Sequence, residues 1–292
     1  MAPTVALLTA TGLLGTQLAK TLGAQDAASK IKLVVLHRPS SDLSALPAST
    51  ERRPLDIETA TAEDVATALQ GVDILVSATN RTSAEADARF IESLAAVKTL
   101  QAYIPSDFSV NWTEEEASDK LNLIVWGKTR LEEKLRSLGV PAVPVHNGLF
   151  EPFVFGPVLG LDAKGNTVAL YGDALTRKLP VTSPKYLAEA LAQLVVRPVS
   201  ELVGKTFTVV EYETTGQEVV DALTAANGKA PTVTTLTDAD LEAARAHGPL
   251  AVLGAAARKK WGAGSFPNND AFVPVGVQPI DVRQTIAVAI KA

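Results

Sequence analysis

The chain has 292 residues, 47% of them apolar and 20% charged, with a formal net charge of −5. That is the balance of a globular protein with one large domain or two modest ones, and it gives no electrostatic basis for binding nucleic acid or an anionic membrane. The absence of cysteine excludes a disulfide framework, a thiolate metal site and a cysteine nucleophile, and His37, His146 and His247 lie too far apart in sequence to argue for a metal site.

The first residues, MAPTVALLTATGLLG, lack the basic start and long apolar core of a signal peptide. No apolar run approaches the roughly 20 residues of a membrane span. The expectation is a soluble, cytoplasmic protein. Thr4 to Leu8 reads as a buried strand, Leu13 to Leu22 as a helix and Ile31 to Leu36 as a second strand. Thr61 and Asp64 have the spacing of a capping box for a helix through Leu69. Asp73 to Val76 is a strand, Ser83 to Ala96 a helix, and Leu100 to Ile104 a strand that stops at Pro105. A long helix is expected between Asp119 and Leu138, ended by Gly139, and a strand from Ala142 to Val145. Such β-α-β alternation with short connections implies a parallel sheet with helices on both faces.

Beyond Asn147 the regularity weakens, and Pro and Gly become frequent between Pro152 and Pro184. A helix starts near Pro184, where proline suits the first turn. A strand at Thr206 to Val210, a helix at Gly216 to Ala226, and helical patterns over Asp238 to Ala246 and Leu250 to Trp261 follow. The expected architecture is an α/β fold: a Rossmann-type, doubly wound parallel sheet over 1–150, with a smaller α/β lobe over 151–292 partly interwoven with it.

The first strand, turn and helix supply the context of a phosphate-binding loop. Thr9, Thr11, Gly12 and Gly15 match a G-x-x-G-x-x-G turn with threonine in the first glycine position. Gly12 lets the backbone approach a pyrophosphate, and Gly15 lets helix and strand pack closely. Leu13, Leu14 and Gly15 open the helix with unpaired N–H groups and a partial positive charge, and Thr11 adds a hydroxyl. A β-branched Thr9 does not readily take a positive φ, so the expectation is a turn that differs there or binds less tightly. Dinucleotide sites for NAD place an acid about 20 residues further on, against the ribose 2′-hydroxyl. Here the second strand ends in His37-Arg38, and a guanidinium suits a 2′-phosphate instead. NADP(H) is therefore favoured, the alternative being a solvated arginine.

On the long helix, Lys128 falls on the apolar stripe formed by Leu121, Ile124, Leu131, Leu135 and Leu138. Such a lysine either snorkels to the edge or projects into a polar cavity, where desolvation lowers its pKa and fits it for proton transfer. None of the four tyrosines precedes a lysine by four positions, which disfavours a Tyr-x-x-x-Lys carbonyl reduction. There is no G-x-S-x-G elbow and no P-loop.

The ordered set TATGLLG, LHRPS, YIPSDF, GKTRLEEKL and VPAVPVHNGLF resembles the atypical short-chain dehydrogenases, and more narrowly the NmrA-like and isoflavone reductase-like group, along nearly the whole chain. The resemblance implies a Rossmann domain, NADPH and a substrate cleft between two lobes. It implies that Lys128 holds the nicotinamide ribose and acts in proton transfer. Ser77, Ala78 and Thr79 would lie along the cofactor, Pro105, Ser106 and Phe108 on its nicotinamide side, and Asn147, Gly148 and Phe150 near the cleft floor. Thr9, and Asp107 with Ser109 where the group has Glu-Phe-Gly, are departures. Phe108, Trp112, Phe150 and Phe153 are the candidate apolar substrate contacts, with ordinary core packing as the competing reading. The expectation is an NADPH-dependent reductase of a small aromatic or conjugated substrate, working as a monomer or homodimer without metal. The alternatives are a non-catalytic NADP(H)-sensing regulator, which the same group contains, and a lyase or isomerase on the same fold.

Overall fold

The computed structural model describes residues 2–79, 82–118, 123–156, 158–266 and 271–291, with side chains at all of these except 84, 117 and 123–129. The chain forms two compact units: residues 1–108, 131–145 and 187–207 make unit 1, and 109–130, 146–186 and 208–292 make unit 2.

Unit 1 begins with β1 (Thr4–Leu8), α1 (Leu13–Ala27), β2 (Lys32–His37), β3 (Glu51–Pro54), α2 (Ala62–Ala68), β4 (Ile74–Ser77), α3 (Ala84–Ala96) and β5 (Ala102–Ile104). The five strands form a parallel sheet in the order β3-β2-β1-β4-β5. Val5, Ala6 and Leu7 of β1 and all of β4 are buried. Strands covered on both faces read as unbroken apolar runs, which is why they are visible in the sequence. One face packs Ala6, Leu8, Val34, Leu36 and Leu75 against Leu69, Phe90 and Leu94. The Thr61–Asp64 capping box forms as its spacing predicts. The sheet reverses its direction of growth between β1 and β4, and the carboxyl ends of strands flanking such a reversal are where open α/β sheets bind ligands.

Two expectations change. Glu51–Pro54 is a strand although it carries no apolar run, because it sits at the sheet edge with Glu51 and Arg53 half-buried and Arg52 and Pro54 exposed. Ala142 to Val145 is not a strand: only Ala142 bridges Tyr103, and the regular strand is Val145–His146. Pro141 and Pro144 supply no N–H to a ladder, so the pairing is confined to Tyr103 N–H to the Pro141 carbonyl and Val143 N–H to the Tyr103 carbonyl.

The chain continues through α4 (Glu114–Ser118), α5 (Leu123–Ser137), β6 (Val145–His146), β7 (Leu149–Phe150), α6 (Glu151–Val154), β8 (Leu161–Asp162), β9 (Thr167–Tyr171), β10 (Leu179–Thr182) and α7 (Pro184–Leu194). It ends with β11 (Phe207–Thr208), β12 (Tyr212–Thr214), α8 (Gly216–Asn227), β13 (Thr232–Leu236), α9 (Asp238–Arg245), α10 (Pro249–Ala263) and α11 (Val282–Ala289). From α5, Leu135 is buried in the unit 1 core and the half-buried Leu131 and Leu138 pack against it, so the downstream half of the expected apolar stripe faces the core. Leu121 lies outside the described residues.

Unit 2 holds two small sheets, β12-β10-β7 and β13-β9-β8. Its core gathers Leu161, Val168, Leu179, Val181, Val219 and Trp261, and the Trp261 indole N–H donates to the Arg177 carbonyl at 2.8 Å. Lys260 is 2% exposed and donates to both carboxylate oxygens of Glu116, at 2.8 and 2.7 Å. Its ammonium also stands 5.4 Å from the Trp112 ring centre, so one buried cation ties α10 to α4 and to the segment before it.

Candidate functional site

The turn between β1 and α1 takes the shape a phosphate-binding loop requires. Gly12 has φ +89° and ψ −177°, a conformation open essentially to glycine alone, and the space where its side chain would stand is empty. A Cβ on Gly15 would collide with the Thr9 carbonyl oxygen and lie 3.1 Å from the Ala10 carbonyl carbon, so the start of α1 reaches the turn only without a side chain there. Thr9 corrects the expectation drawn from its branched side chain: it does adopt a positive φ, +72°. Its N–H donates to the Leu36 carbonyl at 3.1 Å, so pairing with β2 holds it there. A left-handed threonine costs about 1–2 kcal/mol, which that contact and the packing of the turn must offset. Gly12 caps α1 without a side-chain hydrogen bond, leaving the first N–H groups, at Leu13, Leu14 and Gly15, for a ligand. Thr11 is half-buried beside them.

Arg38 is exposed just beyond β2. It lines a shallow pocket together with Thr9, Leu55, Asp56, Ile57 and Glu58. The loop after β3 supplies the last four, and the sequence reading, which placed no strand at β3, missed them. At the end of β4, Ala78 N–H donates to the Leu8 carbonyl at 2.9 Å, and the Ser77 and Thr79 hydroxyls share a hydrogen bond of 3.1 Å. Ser106 donates its hydroxyl to the Thr79 carbonyl at 2.7 Å. Thr9, Gly12, Ser77, Ala78, Thr79 and Ser106 therefore gather at the carboxyl ends of β1, β4 and β5, with Pro105 buried beside Ser106. Tyr103 lies below them with its ring edge-on to Phe90, and burial pushes its hydroxyl above the usual phenol range.

The remaining candidates fall elsewhere. Lys128 is on α5, and its side chain lies outside the description. Phe108 is buried, 7% exposed. Trp112 is buried beside Val110 and Ala256 in unit 2. Phe150 and Phe153 meet edge to face with ring centres 6.5 Å apart, and Phe153 is 45% exposed. Asn147 is fully buried: its N–H donates to the Ser109 carbonyl, and its own carbonyl accepts from the Thr182 hydroxyl. Yet neither atom of its side-chain amide has a partner among the described residues. An orphaned buried amide costs about 1–3 kcal/mol and points to a ligand or another unpaired group.

Unit 2 also contains a cavity of about 290 Å³. Val110, Pro180, Val210 and Phe266 give it apolar walls, and His146, Glu211, Tyr212 and Glu213 give it polar ones. Both Glu211 oxygens accept backbone N–H groups, from Ser183 and Ile280, and Glu213 is paired with Lys178 at 2.7 Å. Burial pushes the Tyr212 hydroxyl up, and burial followed by the Glu211 charge does the same to the carboxyl of nearby Glu151. His146 was not singled out by sequence because the cavity is assembled from separate stretches of chain. None of Phe108, Trp112, Phe150 and Phe153 is among its described lining residues.

A parallel sheet whose reversal point carries a glycine turn and a helix N-terminus defines a Rossmann-type fold. Residues 1–244 match the NmrA-like family, and the chain belongs to it. No curated protein matches the sequence. The fold is similar to that of leucoanthocyanidin reductase from Vitis vinifera in a binary complex with NADPH, with 17% identity, 99% of this chain and 100% of that one covered, and a TM-score of 0.78. It is also similar to AtPrR2 with NADP+ and (+)-pinoresinol, with 15% identity, 99% of each chain and a TM-score of 0.79. A structure from work on pinoresinol-lariciresinol and phenylcoumaran benzylic ether reductases matches at 14% identity, again over 99% of each chain, with a TM-score of 0.80. At these identities the likeness is one of fold. Among the described residues, no helix is long and apolar enough to cross a membrane.

Proposed function

We propose that the protein is an NADPH-dependent reductase of a small aromatic or conjugated substrate. The observation that carries this reading is the convergence of Thr9 and Arg38 on one pocket beside the Gly12–Gly15 turn. The helix N–H groups at Leu13, Leu14 and Gly15 and the open face of Gly12 fit a pyrophosphate, and Arg38 fits a 2′-phosphate. Ser77, Ala78, Thr79, Pro105 and Ser106 extend the same strand-end edge, where they would line the rest of the cofactor. NADPH supplies a hydride from nicotinamide C4 when bound.

The chain's own contribution is positioning and proton management. Asn147 offers an amide donor and acceptor that no other described group uses. Lys128 is assigned the proton transfer that accompanies reduction. The unit 2 cavity, apolar on one side and polar on the other, is assigned to the substrate. That the neighbouring structures include reductases holding NADP+ or NADPH supports the reading.

The test is a titration with NADPH followed by its oxidation with a panel of conjugated and aromatic carbonyl and ether substrates. Saturable binding and consumption of NADPH with at least one substrate is the expected result. Binding without oxidation across the panel favours the sensing regulator, and absence of binding overturns both.

A further inference from the structure

Among the described residues, the walls of the Arg38 pocket hold more negative than positive charge. Besides Arg38 it is lined by Asp56 and Glu58. The Asp56 carboxylate accepts the Glu58 N–H at 3.2 Å, closing a tight local turn. The Glu58 carboxylate reaches the start of α3 instead. One of its oxygens accepts the Ser83 N–H at 2.8 Å and the other the Ser83 hydroxyl at 2.9 Å, while Arg89 donates to the Glu58 carbonyl at 2.8 Å. Ser83 in turn caps α3 by accepting the Ala86 N–H. Glu58 is thus fixed in position at both its backbone and its carboxylate.

It is also fixed as a charge. The Ser83 hydrogen bonds, and after them the positive charges of Arg89 and Arg38, hold its carboxyl below the usual range, so it is ionised wherever the protein is folded near neutrality.

We infer that Glu58 is a specificity-determining residue: its immobile carboxylate competes with a 2′-phosphate for Arg38 and so limits how strongly this pocket prefers NADP(H) over NAD(H). The inference rests on the proposed nucleotide reading of the pocket. A 2′-phosphate brings negative charge toward both Arg38 and Glu58, whereas a 2′-hydroxyl brings none. The two cofactors differ only in that ribose substituent, and both Glu58 oxygens are already taken by Ser83, so the carboxylate acts on the cofactors' difference through its charge. A phosphate that takes up the charge of Arg38 also leaves Glu58 with less of the compensation that Arg38 supplies without touching it, which adds to the same penalty.

The experiment is calorimetric binding of NADP+ and NAD+ to the full chain carrying Glu58→Gln, with Ser83→Ala as companion. Glutamine keeps an oxygen for the Ser83 N–H but trades the oxygen that accepts the Ser83 hydroxyl for an NH2 group, so Ser83→Ala, which removes that hydroxyl alone, is the control for the lost hydrogen bond. Glu58→Gln is expected to bind NADP+ about fivefold more tightly than the unaltered protein at about 50 mM salt, with NAD+ unchanged. That gain should shrink below about twofold at roughly 0.5 M salt, because exposed charges are screened. Ser83→Ala loosens the clamp without touching the charge and should give no gain. Equal affinity of the Gln variant and the unaltered protein for NADP+, or a gain shared by NAD+, overturns the role of Glu58 while leaving the nucleotide reading intact. Failure of the unaltered protein to bind either nucleotide overturns both.

Discussion

Replacing Gly15 by alanine tests whether the turn works as its geometry implies. The added Cβ strikes the Thr9 carbonyl oxygen and crowds the Ala10 and Thr9 carbonyl carbons at 3.1 and 3.2 Å. These are backbone atoms held by β1 and β2, so α1 itself must retreat. Overpacking of this kind costs about 3 kcal/mol at the upper end of its usual range, and the better helix propensity of alanine returns about 1 kcal/mol. The net loss is about 2 kcal/mol, or roughly 4 °C in Tm for a chain of this size. Gly23 lies in the same helix with open space around its would-be side chain. Gly23→Ala should therefore gain about 1 kcal/mol, or roughly 2 °C. Differential scanning calorimetry of the two variants, with NADPH titration of each, reads both effects. Gly15→Ala should also bind NADPH at least about tenfold more weakly, because the N–H groups it displaces are the proposed phosphate donors. A Gly15→Ala protein as stable as Gly23→Ala, with NADPH affinity unchanged, would refute the reasoning.

Arg38→Ala should reduce the preference for NADPH over NADH by about 10- to 100-fold, the worth of charge-assisted hydrogen bonds; competitive titration of both cofactors checks this, and an unaltered ratio removes the 2′-phosphate contact. Lys128→Met should lower kcat by about 100-fold or more with cofactor affinity kept within about threefold, measured on any substrate the panel yields; unchanged turnover rules out the catalytic assignment. Lys260→Met removes the cation beside the Glu116 carboxylate, which keeps the Thr113 N–H and the Ser265 hydroxyl, and denaturant unfolding should show a loss of about 2–3 kcal/mol at neutral pH, less than for a fully buried pair because Glu116 is partly exposed. Burial raises the Glu116 carboxyl, but the Lys260 hydrogen bond, the Thr113 N–H, the Lys260 charge and the Ser265 hydroxyl together outweigh it and hold the carboxyl below its usual range. The pair therefore stabilises the fold above the ordinary carboxylate pKa and ceases to as pH falls through the lowered one, so the gap between Lys260→Met and the unaltered protein should narrow in acid. A gap that does not change with pH would show that the ion pair is not its source.

Most of unit 1 was legible because burial on both faces turns its strands into plain apolar runs, as in Thr4–Leu8 and Ile74–Ser77. Its helices carry caps that a sequence displays, such as Thr61 with Asp64. Glu51–Pro54 escaped because an edge strand beside solvent needs no apolar signature, and with it went Asp56 and Glu58 of the pocket. The glycines of the turn were readable, but the backbone angle of Thr9 was not, since pairing with β2 imposes it against the residue's own preference. Unit 2 was harder to read. Thr232–Leu236 is exposed along nearly its whole length and pairs in parallel with Thr167–Tyr171, some sixty residues earlier, so nothing local announces either the strand or its partner. The cavity around His146 is made of short segments brought together by such pairings. The Asn147 amide, unpaired among the described residues, has no sequence signal at all, because the same asparagine with a hydrogen-bond partner would read identically.

The central claim is that unit 1 binds a 2′-phosphorylated dinucleotide at the Gly12–Gly15 turn. Isothermal titration of the unaltered protein with NADPH and, separately, NADH tests it most directly. The expected result is saturable binding at one site per chain, tighter for NADPH, with Gly15→Ala weakening both cofactors and Arg38→Ala weakening only NADPH. Absence of binding by either cofactor, or binding that Gly15→Ala leaves untouched, would contradict the account.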